Sequence, residues 1–176
     1  MYLMLGIISF SIALHSCKKV EDKIDNFKEP SEKEWTIKDN TFTQDTCFVY
    51  DSNGDTTVTL IKAENQDKKS TILINLGKTR PTTDRTYKVI LNEAKFGQVG
   101  YKDTLKGDEA KILFFDGDYV ALAKGGATLS VKVVNGKLSL TLNKSKAFYG
   151  LLSDIDKDPD LSKYQLVNIA FKLEEN

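Results

Sequence analysis

Side chains that can do chemistry are few in this sequence, and they exclude more than they suggest. The only histidine is His15. With none after it, the later chain cannot build Ser-His-Asp or Cys-His nucleophiles, or the usual imidazole zinc and iron sites. The cysteines are Cys17 and Cys47. Cys47 has no basic neighbour in sequence to lower its pKa, and it reads as a small buried residue beside Phe48. No Gly-rich loop ends in the Lys-Ser/Thr of a phosphate site.

Carboxylates are the remaining reactive groups. Asp154, Asp156 and Asp158 alternate as acids do in oxygen-ligand calcium loops. An EF-hand needs Gly at the sixth loop position and Glu at the twelfth; Pro159 and Gln165 stand there instead. The run therefore reads either as an irregular calcium site or as an exposed acidic loop. Asp51, Asn53 and Asp55 read as a hairpin turn. Glycoside cleavage needs two carboxylates facing across a cleft. Glu93, Asp103, Asp108, Glu109 and Asp118 are available, but spacing pairs none of them. Aromatic rings offer binding rather than catalysis. Phe96 and Tyr101 flank a glycine-containing loop, and Phe148 and Tyr149 precede Gly150. Either pair reads as a sugar-stacking platform or as packing, and Trp35 reads as core.

Cys17 is the residue with the clearest chemical assignment. Residues 1 to 16 carry no Lys, Arg, Asp or Glu, and Leu3 to Leu14 form an apolar run of signal-peptide length, short for a bilayer span. Leu14-His15-Ser16-Cys17 follows, and then the chain turns polar at Lys18-Lys19-Val20-Glu21-Asp22-Lys23. This junction resembles the lipobox of bacterial lipoproteins, with an apolar residue three before the cysteine and a small one just before it. His15 is unusual between them, and the Lys or Arg that opens most signal peptides is missing. The resemblance implies diacylglycerol on the Cys17 sulfur, cleavage before Cys17 and acylation of the new amino terminus. Several acyl chains hold a protein to a membrane firmly. Cys47 would then have no partner, which excludes a disulfide scaffold.

The Ser-Cys-Lys-Lys junction resembles lipoproteins of the Bacteroidota, whose location is the cell envelope, chiefly the outer membrane. In that group charged residues after the cysteine can direct surface exposure. Lys19, Glu21 and Asp22 match that signal loosely, with Val20 between, so the periplasmic and surface faces both stay open.

Composition narrows the partners. Lys plus Arg and Asp plus Glu each number 25, and Arg occurs only at positions 80 and 85. A balanced chain with little Arg lacks the basic face that meets nucleic acid. The hydrophobic fraction of 40% suits a folded domain, and 176 residues suffice for one sizeable core.

The elements that would position these residues are strands. From Trp35 onward apolar residues recur every second position. The clearest case is Ala127 to Asn143, where Asn135-Gly136 is a two-residue hairpin signal. That turn pairs Val133 with Leu138, Val131 with Leu140, and Leu129 with Leu142, all on one face. Thr56 to Lys62 reads as a strand with Val58 and Leu60 inward. Ser70 to Leu76 turns Ile72, Ile74 and Leu76 inward, and Arg85 to Leu91 turns in Tyr87, Val89 and Leu91. Leu166 to Glu174 turns in Val167, Ile169, Phe171 and Leu173 and reads as a central strand. Shorter candidates are Glu34 to Lys38, Thr41 to Thr43, Cys47 to Tyr50, Ala110 to Phe115 and Tyr119 to Ala123. Leu151 to Lys163 reads as an irregular insertion with about one helical turn.

The expectation is all-β: an antiparallel β-sandwich or partly open barrel of about eight to ten strands. Residues 1 to 16 read as signal peptide, 17 to 33 as a lipid-anchored flexible tether, and 34 to 176 as the β domain. The domain resembles small Bacteroidota lipoproteins of unknown function. They share a Trp opening the first strand (Trp35-Thr36-Ile37), a Tyr-containing strand after a Pro/Thr loop (Pro81 to Val89), and a Gly-Gly strand with an Asn-Gly hairpin (Gly125 to Asn143). Such relatives imply fold and location, not an activity. The expected role is non-enzymatic: binding or structural support in the envelope, with a membrane, a glycan or an envelope protein as partner and no cofactor beyond calcium at the acidic run. Glycan capture is the alternative, and a carboxylate-dependent hydrolase the third reading.

Overall fold

The computed structural model describes residues 27–53, 57–77, 79–91, 105–158 and 160–176. Among them are eleven strands in one sheet. They are β1 (Glu34–Ile37), β2 (Asn40–Thr43), β3 (Thr46–Asn53), β4 (Thr57–Asn65), β5 (Ser70–Asn75), β6 (Arg85–Val89), β7 (Glu109–Asp116), β8 (Tyr119–Ala123), β9 (Thr128–Val134), β10 (Lys137–Leu151) and β11 (Gln165–Glu174). Between β10 and β11 lie a short helix, α1 (Leu152–Lys157), and a 3-10 turn, Leu161–Lys163. The chain is therefore all-β, as its two-residue period implies.

The strand order is β2-β1-β11-β10-β9-β6-β7-β5-β4-β3. β8 adds a second link by pairing with both β10 and β7. The 15-residue β10 makes this fork. Its first half pairs with β9, and its second half with β8. A bulge between Leu142 and Ser145 resets its register with β11 where the two halves meet. The sheet is mixed rather than purely antiparallel, because β6 runs parallel to β7 at Lys88↔Glu109 and Val89↔Ala110. The long stretch between β6 and β7 permits this, since a parallel pair needs a crossover and a hairpin does not.

Strand alternation sends one set of side chains to a shared core. Trp35, Phe42, Ile61, Ile72, Ile74, Tyr87, Phe114, Leu129, Leu140 and Phe171 are buried there together. Each large apolar side chain removed from water contributes about 1.5–3 kcal/mol. The Asn135-Gly136 hairpin forms as the sequence requires. Both residues have positive φ, 52° and 77°. Val133 pairs with Leu138, Val131 with Leu140 and Leu129 with Leu142. The inward faces of β5 and β11 also follow the alternation, and β11 lies centrally between β1 and β10.

Three expectations need correction. In β4 the buried residues described are Thr59, Ile61, Ala63 and Asn65, and Leu60 is only half-buried; the Val58 side chain lies outside the described residues. Register decides this: Ile61 lies opposite Ile74 and Ala63 opposite Ile72. Thr59 tolerates burial because its Oγ1 donates to Asp51 Oδ1 at 3.0 Å. Secondly, β6 ends at Val89, and Leu91 instead joins a second cluster beyond the sheet. Thirdly, residues 27 to 33 are not a free tether. Pro30 is buried, Thr36 Oγ1 donates to the Lys28 carbonyl at 3.0 Å, and the Gln44 amide donates to the Lys33 carbonyl at 2.7 Å. Their charged composition suggests solvent, but backbone carbonyls, which composition does not report, hold them to the sheet.

The sheet's two edges, β2 and β3, are consecutive in sequence and are closed by side chains. Asn65 Nδ2 donates to the Thr43 carbonyl at 2.7 Å, and Lys68 Nζ to the Thr41 carbonyl at 3.0 Å. Beyond β1, the buried Gln44 continues the ladder. Its Nε2 donates to the Glu174 carbonyl at 2.6 Å, and its Oε1 accepts from the Glu174 amide at 3.0 Å. Asn176 completes the join to β3: its amide donates to the Cys47 carbonyl at 3.0 Å, and its Oδ1 accepts from the Cys47 amide at 3.1 Å. Capping unpaired strand groups in this way removes templates for strand addition.

Candidate functional site

Several predicted site residues lie outside the described residues: Cys17 with its preceding segment, and Phe96 and Tyr101. The others are placed, and few of them meet.

Asp154 and Asp156 lie on α1, and Asp158 is its C-cap. Asp158 forms an ion pair with Lys163, and its Oδ1 accepts from the Asp160 amide at 3.1 Å. Asp160 Oδ1 in turn accepts from the Ser162 amide at 3.1 Å and from Ser162 Oγ at 2.6 Å. The Lys163 hydrogen bond holds the Asp158 carboxyl below its ordinary pKa, and the Ser162 hydroxyl does the same for Asp160. Tyr164 Oη donates to the Asp158 carbonyl at 3.0 Å. Asp158 and Asp160 thus fasten a loop, and their oxygens point to its own donors; the Asp156 side chain lies outside the described residues. Among the described residues no three His, Cys, Asp or Glu side chains gather as a metal-ion site.

Two of the carboxylates considered for hydrolysis, Asp108 and Glu109, are similarly engaged. Asp108 Oδ1 lies 3.6 Å from Arg85, and Glu109 Oε2 accepts from the Lys106 amide at 2.8 Å. Asp118 is exposed in the β7–β8 turn, where its carbonyl accepts from the Leu152 amide at 2.9 Å. Glu93 and Asp103 lie outside the described residues.

Cys47 is fully buried and free. Burial, assisted by the Glu175 charge, pushes its thiol up to about 12. It is a core residue, as its neighbourhood in sequence suggests, and its thiolate is disfavoured.

Phe148 and Tyr149 do not form one platform. They are adjacent on β10, so the pleat sends them to opposite faces. Phe148 packs outside the sheet with Leu113, Leu122, Ile155, Leu161 and Tyr164. This satellite is where α1 and the 3-10 turn cover the β7–β8–β10 face. Gly150 permits that cover: a Cβ there would lie 2.6 Å from Tyr164 Cδ1 and 3.4 Å from Ile155 Cδ1.

Tyr149 packs on the main core instead and stacks against Tyr119, ring centroids 5.2 Å apart and planes 5° apart. The Lys38 ammonium stands 5.9 Å from the Tyr149 ring centre. Burial raises the Tyr149 hydroxyl pKa, with Asp116 adding to it. Tyr119 is 42% exposed and is the open member of the pair. Reading residues in sequence misses this pair, since Tyr119 and Tyr149 meet only through the β8–β10 register, Ala121↔Tyr149 and Tyr119↔Leu151. The arrangement gives one ring for stacking on a ligand and a cation beside it.

No family model, no curated protein and no solved structure matches the chain.

Proposed function

We propose that this protein is a lipid-anchored lipoprotein of the bacterial cell envelope, whose β domain binds or supports a partner without catalysing a reaction. The observation that carries this reading is the junction at Cys17. An uncharged apolar run ends in Leu14-His15-Ser16-Cys17, and a charged stretch follows at once. Acylation at Cys17 would leave a mature chain without histidine. The engagement of Asp158, Asp108 and Glu109 with nearby donors supports a non-catalytic role.

Mass spectrometry of the protein purified from membranes tests the anchor. The expected N-terminal peptide begins at Cys17 and carries diacylglycerol and an acyl chain. A peptide beginning at Met1 with unmodified Cys17 overturns it.

A second reading, glycan capture, is favoured by the exposed Tyr119 ring on its Tyr149 support. Screening the unlipidated chain against a glycan array tests it. Binding lost in Tyr119→Ala supports this reading, and a blank array removes it.

A further inference from the structure

We infer that the part of the outer face of β8, β10 and β11 that carries the exposed Lys124, Lys146 and Leu166, beside the satellite that α1 covers, is a docking surface for an anionic lipid bilayer, the same membrane to which the proposed anchor on Cys17 would tether the chain. The inference rests on that anchored reading for its setting, but it stands on separate observations.

The first observation is the make-up of the face. The Lys124 amide donates to the Lys146 carbonyl at 2.8 Å, so the two residues sit side by side across β8 and β10. Both side chains are exposed, and neither forms an ion pair among the described residues. Lys144 lies on the same strand. Phe148 is two residues from Lys146 and shares its side of the strand, with the Lys124 ammonium 6.0 Å from its ring centre. Opposite Phe148 in the ladder is Leu166, 44% exposed. Lysines interleaved with apolar side chains fit the headgroup boundary of a bilayer. There the ammonium groups meet phosphates while the exposed Leu166 side chain reaches toward the acyl region. Free phosphate or an acidic peptide would use the lysines but not the apolar members.

The second observation is where the tether arrives. Phe27, the first described residue, lies under Lys144, with the ammonium 5.1 Å from its ring centre. The Lys28 carbonyl is held by Thr36, and Pro30 is buried, so the chain's entry point is fixed at this face. Ten residue steps separate Cys17 from Phe27, a reach of at most about 35 Å. A lipid on Cys17 would therefore lie within that reach of this face.

Vesicle flotation of the chain from residue 18 onward tests this. That chain keeps every described residue and lacks the acylation site, so the outcome does not depend on the anchor. The expected result is partition onto phosphatidylglycerol vesicles and little onto phosphatidylcholine vesicles, with partition reduced by raised salt. Lys124→Gln with Lys146→Gln should weaken it about 30-fold, at roughly fivefold per lysine. Lys62→Gln with Lys132→Gln, elsewhere on the sheet, should change it little. No partition onto either lipid, equal partition onto both, or equal loss in the two variant pairs overturns the inference. Flotation together with an unmodified Cys17 in the native protein would leave the docking face standing and remove the anchor.

Discussion

The side-chain amide of Gln44 makes with Glu174 the two hydrogen bonds that a neighbouring strand would make. Nε2 donates to the Glu174 carbonyl at 2.6 Å, and Oε1 accepts from its amide at 3.0 Å. A single buried side chain thus stands in for a rung of ladder where β1 has ended and β3 has not yet reached β11. Gln44→Leu removes both bonds and leaves two buried backbone groups without partners, at about 2–4 kcal/mol in all. Gln44→Glu keeps the acceptor, loses the donor and buries a charge, and it should cost at least as much. Urea unfolding of the three proteins checks this. A loss below about 0.5 kcal/mol in both variants would show that the join does not depend on the Gln44 amide.

A second fastening lies at the end of β11. Arg80 Nη1 donates to Glu175 Oε1 at 2.8 Å and Nη2 donates to Glu175 Oε2 at 2.5 Å; Nη2 also reaches the Gly136 carbonyl at 2.9 Å. Glu175 Oε2 also accepts from the Leu138 amide at 2.8 Å. The pair ties the loop after β5 to the β9–β10 hairpin and the chain's last residues. The planar fork of Arg is what the two oxygens require, so Arg80→Lys should lose most of what Arg80→Ala loses. The pair is partly shielded from solvent, with side chains 29% and 14% exposed. A double-mutant cycle with Glu175→Gln should give a coupling of about 1–2 kcal/mol. A coupling near zero would make this a surface pair of no consequence.

Some of this was legible in sequence and some was not, for physical reasons. The β9–β10 hairpin was legible because turn chemistry at Asn135-Gly136 and alternation on both arms point to one register. The inward face of β4 was not, because Val58 and Leu60 are as apolar as the Ile61 and Ala63 beside them. The choice came from pairing with β5 and a hydrogen bond from Thr59 to Asp51, both set by the partner strands. The Tyr119–Tyr149 stack and the Lys124–Lys146 neighbourhood join strands 22 to 30 residues apart, and single-strand periodicity cannot relate them. Phe148 and Tyr149 were visible as a pair of rings, but adjacent positions on a strand necessarily face apart.

Gly150 marks how the α1 segment is held. Gly150→Ala would push a methyl against Tyr164 and Ile155, at about 1–3 kcal/mol. The strain should appear first as release of residues 152 to 164, since that segment closes the satellite cluster and not the main core. Limited proteolysis should therefore cut Gly150→Ala in this segment while β10 and β11 stay protected. Adding Tyr164→Ala removes the clash, so the double variant should lose less than the sum of the two single variants. Independent, additive losses would argue against a direct contact.

Cys47 gives a prediction for the effect of pH. Its folded pKa, about 12, lies above the ordinary 9.0. The folded state therefore favours the neutral thiol, and its contribution is fully present below pH 9. As pH rises toward 12 the unfolded chain loses the proton and the folded chain keeps it, so stability falls. Two pH units above the ordinary value, at pH 11, the loss from this group is about 3 kcal/mol. Tyr87 and Tyr149, both raised by burial above the ordinary 10.0, act in the same direction but begin one unit later. Urea midpoints should therefore fall from about pH 9 in the native protein, and only from about pH 10 in Cys47→Ala. The folded thiol should also resist a disulfide reagent at pH 8 until urea unfolds the domain. A native-state reaction at the rate of a small-molecule thiol, or identical pH profiles for the two proteins, would contradict the burial of Cys47 beneath Asn176 and Glu175.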